Sequence, residues 1–129
     1  MPSWQPNWQD VIWDHGAADA AVAALGRAAS EIDRAAGERA RAALTLLGEW
    51  RGAHRLSFDD QLRRADGEDQ ALAGDLRRAA QEVSRLSQQA REEQARRVYD
   101  RAEWRRECER ERERQRERER RARENASVV

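Results

Sequence analysis

After Pro6 the chain contains no proline, and in two runs, Ala17–Trp50 and Phe58–Ala90, its apolar residues fall three and four apart. Proline stops a helix because it lacks an N–H and its ring clashes with the preceding turn. Its absence, together with a three-four period, leaves α-helix as the regular structure this pattern can hold. Ala, Arg, Glu and Leu fill most of the remaining positions, and these side chains lose little freedom in a helix. No stretch alternates with period two, so no strand is expected.

The first run carries Val22, Leu25, Ala29, Ile32, Ala36, Ala43, Leu46 and Trp50, with Arg39 as its one polar occupant. A seam of period 3.5 keeps one helix in contact with another along its length. Ala21, Ala28, Ala35 and Ala42 recur every seven residues beside it, small enough for a neighbouring helix to approach closely. The run from Ala17 to Trp50 makes a rod of roughly 50 Å. Asp14 is placed to cap its start. Residues 1–14 form a polar and aromatic lead-in, in which Trp4, Trp8 and Ile12 would line one helical face if Pro6 sat in a first turn.

The second run carries Phe58, Leu62, Ala65, Leu72, Leu76, Ala79, Val83, Leu86 and Ala90, with a polar break at Asp69. Ser57 and Asp60 fit a capping box at its start. Two long amphipathic runs joined by a short Gly-containing connection make an antiparallel helical hairpin. Val22, Leu25, Ile32, Leu46, Phe58, Leu62, Leu72, Leu76, Val83 and Leu86 are the expected core of the hairpin or of a dimer built from it. Gly52 suits a helix end, where its backbone takes angles that Ala resists. Trp50 would cover the open end of the hairpin. The expected organisation is a lead-in over 1–14, a hairpin over 15–104 and an Arg/Glu-rich tail over 105–129.

The formal net charge is +0, so no global attraction draws the chain to nucleic acid or to an anionic membrane. In the tail, ten Arg face seven Glu, and the interleaved acids nearly cancel a phosphate-tracking stripe. No apolar run is long enough to span a bilayer, so no stable membrane insertion is expected. The start, MPSWQPNWQDVIWD, lacks the basic and apolar regions of a cleavable signal peptide. Cys108 is the single cysteine. His15 and His54 are far apart, no Cys/His cluster has metal spacing and no glycine loop would cradle phosphate. No catalytic residue, metal or cofactor is expected, and an enzyme is not the expected class.

The sequence Trp50-Arg51-Gly52 resembles the turn of the WXG family, the early-secreted-antigen-like helical hairpins exported by type VII (ESX-like) secretion systems of actinobacteria and some other Gram-positive bacteria. Members commonly carry a Tyr-x-x-x-Asp/Glu signal after the second helix. Here YDRAE places Tyr99 and Glu103 in that relation, and Tyr99 is the only tyrosine. The resemblance covers about residues 10–104. It implies a four-helix bundle formed by a homodimer or by a heterodimer with a related protein. It further implies an export signal at Tyr99 and Glu103 read by a membrane-bound secretion ATPase, and hence secretion by a non-classical route, or a cytoplasmic state before export. The second helix is longer before its Tyr than in typical members, and 26 residues follow Glu103. A structural or regulatory coiled-coil adaptor, or a chaperone-like partner of an exported toxin retained in the cell, also fits these residues.

A partner is expected on energetic grounds as well. At about 25 cal/mol per Å² an alanine-rich seam barely offsets the entropy of ordering its residues. In the tail WRRECERERERQRERERRARE, pairs such as Glu107/Arg110 and Glu109/Arg112 favour helix, whereas Glu107/Glu111 and Arg110/Arg114 oppose it. The tail is therefore expected to be helical or frayed, and partly disordered towards its end.

Overall fold

The computed structural model describes Met1–Val128, and within it the regular elements are α1 (His15–Leu47) and α2 (Ala53–Val128). The fold is all-α. Contacts divide the chain into two compact units: Asp14–Gln88, which holds the hairpin, and Met1–Trp13 together with the chain from Gln89 onward.

In the hairpin unit α1 begins where Asp14 takes extended angles and its Oδ1 accepts the Ala17 N–H at 2.9 Å. That bond satisfies one of the donors left over in a first turn. The antiparallel register is fixed by side chains reaching across: Arg39 to Asp66 at 2.5 Å and to Asp69 at 2.8 Å, and Arg77 to Asp33. The two polar interruptions of the apolar seams, Arg39 and Asp69, thus meet each other. Val22, Leu25, Ile32, Leu62, Leu76, Val83 and Leu86 are half-buried, and the fully buried apolar residues of this unit are Ala18, Ala29 and Ala73.

Leu46 stands 80% exposed, and Leu72 and Phe58 are exposed as well, so these three lie outside the interior of the single hairpin, and of the two expected places only the core of a dimer is left to them. Leu47 and Ala73 occupy the seam instead. The reason is geometric: a straight helix of 3.6 residues per turn drifts about 20° per heptad from a 3.5 seam. From Ala43 onward that drift brings Leu47 inward and carries Leu46 out. On α2 the residues facing inward are Leu62, Asp66, Asp69, Ala73, Leu76, Ala80 and Val83. Phe58, Ala65, Leu72, Ala79 and Leu86, each seven apart, form a flank on one side of it.

The Arg39 pair should act on register more than on stability. Reversing either charge alone, Arg39→Asp or Asp69→Arg, is expected to lower the melting temperature, and the double reversal to recover most of that loss. A double variant no better than the worse single one would show that the pair does not set the register.

The start of α2 differs from the expected capping box at Ser57 and Asp60. Gly52 accepts the Leu56 N–H at 3.2 Å, so the helix begins at Ala53. Asp60 pairs instead with Arg64 at 3.0 Å. In the second unit α2 is helical through Val128, with Arg106–Glu103, Arg120–Glu117 and Arg121–Glu117 pairs along the charged stretch. Of the two forms expected of the tail, helical or frayed, the described residues are helical.

Candidate functional site

The turn of the hairpin is built by glycine and arginine. Gly48 closes α1 in a right-handed helical conformation, while Gly52 has φ +109°, where a side chain is strained. The last carbonyls of α1 lack helical partners. Arg51 Nη1 donates to the Gly48 carbonyl at 3.1 Å, and Arg55 Nη1 donates to the carbonyls of Trp50, at 3.1 Å, and Leu47. These guanidinium groups also oppose the negative end of the α1 dipole.

Trp50 does not close off a dry interior. Its ring lies 6.0 Å from that of Phe58, tilted by 51°, and it stays 39% exposed. Beside this pair opens a groove of about 330 Å³ lined by Arg39, Ala42, Ala43, Leu46, Phe58 and Leu62, among others. Its walls are almost wholly apolar. Leu46 from α1 and Phe58 from α2 lie on its rim, the same side that Leu72 extends by its heptad spacing from Phe58. The opposite side of the turn is mixed, with the Arg55–Asp59 pair at 3.0 Å beside the exposed Leu44 and Leu56. One face of the hairpin is therefore apolar and uncovered.

Tyr99 and Glu103 sit on α2 in the second unit. Tyr99 is 62% exposed, and Glu103 is half-buried one turn further on. Arg106 donates to Glu103 at 3.3 Å and holds its carboxyl below the usual glutamate range. Trp50 and Gly52 belong to the hairpin unit, Tyr99 and Glu103 to the other.

The lead-in is not the helical face expected of Trp4, Trp8 and Ile12. Residues 1–13 contain no helix and run antiparallel to α2 as an extended strap. Pro2 and Pro6 favour this form, since each fixes an extended φ and restricts the residue before it. Trp104 Nε1 donates to the Trp4 carbonyl at 2.9 Å, and Trp4 Nε1 donates to Glu107 at 3.0 Å. Arg101 donates to the carbonyls of Asn7 and Gln9, at 2.8 and 2.7 Å, and to the Asp10 carboxylate at 2.8 Å. Arg97 donates to the Gln9 carbonyl at 3.0 Å. Gln94 both accepts the Val11 N–H at 2.8 Å and donates to Asp10 at 2.9 Å. The Gln94 and Arg101 bonds, then the Arg101 charge, hold the Asp10 carboxyl below its ordinary range.

Aromatic packing completes the strap. Trp8 meets Trp104 edge to face at 5.4 Å, and Arg105 lies 5.4 Å from the Trp8 ring. Pro6 and Cys108 are buried, and the Cys108 sulfur lies 4.0 Å from that of Met1. The Met1 amine pairs with Glu111. The strap lies along Gln94, Arg97, Arg101, Trp104 and Cys108. Tyr99 and Glu103, each two residues past a strap-binding arginine, point about 160° away around the helix. The sequence signal for the strap is Trp104, the last large aromatic before the Arg/Glu-rich tail, together with tryptophans in a lead-in that holds both prolines.

Among the described residues no group of three or more His, Cys, Asp or Glu is placed to hold a metal ion, and no helix is long and apolar enough to cross a membrane. Comparison with known proteins returned no match, whether to a family model, a curated protein or a solved structure. The likeness to the WXG hairpins rests on Trp50, Gly52, Tyr99 and Glu103 alone.

Proposed function

We propose that this is a non-enzymatic protein that works by helix pairing, and that its partner at the hairpin is a second copy of the same chain. The observation that carries this is the uncovered apolar face formed by Leu46, Phe58 and the flank that continues through Leu72. Among the described residues no large side chain is fully buried, so each hairpin has little core of its own. A two-fold dimer sets identical faces against each other and would place both Phe58 flanks in one four-helix core. A hetero-complex with a related hairpin is the alternative outcome of the same experiment.

Within that class, the reading favoured is a type VII secretion substrate or dimer partner with Tyr99 and Glu103 as its export signal. Its support is the accessibility of Tyr99, with Glu103 one turn away on the helix face opposite the strap. A secretion ATPase at the membrane would be the receptor. In a host with an active type VII system, Tyr99→Ala is expected to abolish release into the medium while cellular levels and helicity stay unchanged. Export of the variant at the wild-type level would sink the reading. A chaperone-like partner retained in the cell is favoured by a different feature, the helix that continues to Val128 well beyond Glu103. That reading expects no export of either form.

A further inference from the structure

We propose that the α2 face from Gln94 to Glu111 is a receptor for an extended Trp-x-Pro-x-Trp segment, and that two copies of the chain exchange their N-terminal straps across it. The recognition is complete in the chemistry of one chain. Arg97, Arg101 and Trp104 read main-chain carbonyls, Gln94 reads an amide and a carboxylate, and Trp104 supplies a ring for Trp8. A groove that reads the backbone of an extended segment makes the same bonds whichever chain the segment comes from, and chain concentration decides between the tethered strap and a second chain's.

Every one of these bonds joins residues 83 to 103 apart in sequence, and none requires that the two ends belong to the same molecule. Reciprocal exchange conserves every bond, two copies in the pair as in two closed chains, so its cost is the entropy of association. Ile12 is 99% exposed just before the N-cap of α1 at Asp14, an apolar side chain left in water that a second chain can cover. Exchange needs no contact at the Leu46–Phe58 face and is thus independent of the helix pairing proposed above.

The 129 residues contain no lysine, so in a chain of this sequence the amine at Met1, paired with Glu111, serves as a reporter. Full-length chains grown in light and in heavy nitrogen are unfolded together, refolded and treated with a zero-length carbodiimide. Mass spectrometry then identifies the peptides in which the amine is joined to Glu111. The expected result is mixed-isotope pairs as frequent as same-isotope pairs at high chain concentration, falling on dilution. The same yield is expected in the Leu46→Glu variant, which disables only the hairpin face, whereas Arg101→Glu should abolish the crosslink. Same-isotope pairs alone at every concentration would overturn the exchange, and the absence of any crosslink to the α2 face would overturn the receptor itself.

Discussion

Replacing Trp104 by Ala is expected to release the strap and to raise the reactivity of the Cys108 thiol ~30–100-fold, by the relation of tenfold per 1.4 kcal/mol. Trp104 gives up two interactions at once, the hydrogen bond to the Trp4 carbonyl and the edge-to-face contact with Trp8. Truncating a half-buried tryptophan costs about 2–3 kcal/mol, at or below the low end for fully buried ones. The loss falls on strap docking, because the hairpin unit contains none of these contacts. Cys108 reports it directly: the thiol is buried beside Met1, and a reagent reaches it in proportion to the open population. Trp104→Phe, which keeps a ring and loses the donor, should fall between the two. A thiol that reacts at the same rate in the wild type and in Trp104→Ala would mean that the strap does not cover it.

The second large effect is expected at the turn, where two glycines four residues apart should respond in opposite senses. Gly52→Ala places a side chain at φ +109° and should cost ~1–2 kcal/mol, although open space surrounds the position. For a unit of this size that lowers the melting temperature by ~5–10 °C. Gly48→Ala should instead leave stability unchanged or raise it. Its backbone is already right-handed helical, a new Cβ meets only the Leu44 carbonyl at 3.4 Å, and Ala is the better helix former. Thermal unfolding followed by helical circular dichroism separates the two. Equal losses at both positions would show that space, and not backbone angle, governs the turn.

The elements that local chemistry dictates were legible in the sequence. Asp14 before a proline-free amphipathic run marks an N-cap, and the structure caps α1 there. Gly52 between two such runs marks the turn, and its positive φ is the physical content of that mark. What the pattern left ambiguous was rotation about the helix axis. Leu46 and Leu47 are adjacent leucines, and only the drift between 3.5 and 3.6 residues per turn decides which faces inward. On α2 the same ambiguity separates Leu72 from Ala73. There the smaller residue goes inside, leaving the larger one on the uncovered flank.

The strap lay beyond periodicity for a different reason. Its bonds connect residues at opposite ends of the sequence and use carbonyl and amide groups that every residue possesses. Trp4, Trp8 and Ile12, read by helical spacing, suggested a face, but Pro2 and Pro6 favour extension and Trp104 supplies the surface that rewards it. Arg39 and Asp69 were likewise visible as separate flaws in two apolar series. Their opposite charge, at positions that an antiparallel register brings together, is the signal that joins them.

Light scattering on the 129-residue chain tests helix pairing through the apolar face of the hairpin most directly. The wild type and Arg101→Glu, whose straps cannot exchange, are both expected at twice the 14.9 kDa chain mass, and adding Leu46→Glu and Phe58→Ser to Arg101→Glu is expected to lower the mass to that of one chain. A wild-type chain that stays folded at 14.9 kDa across the accessible concentrations would contradict that pairing.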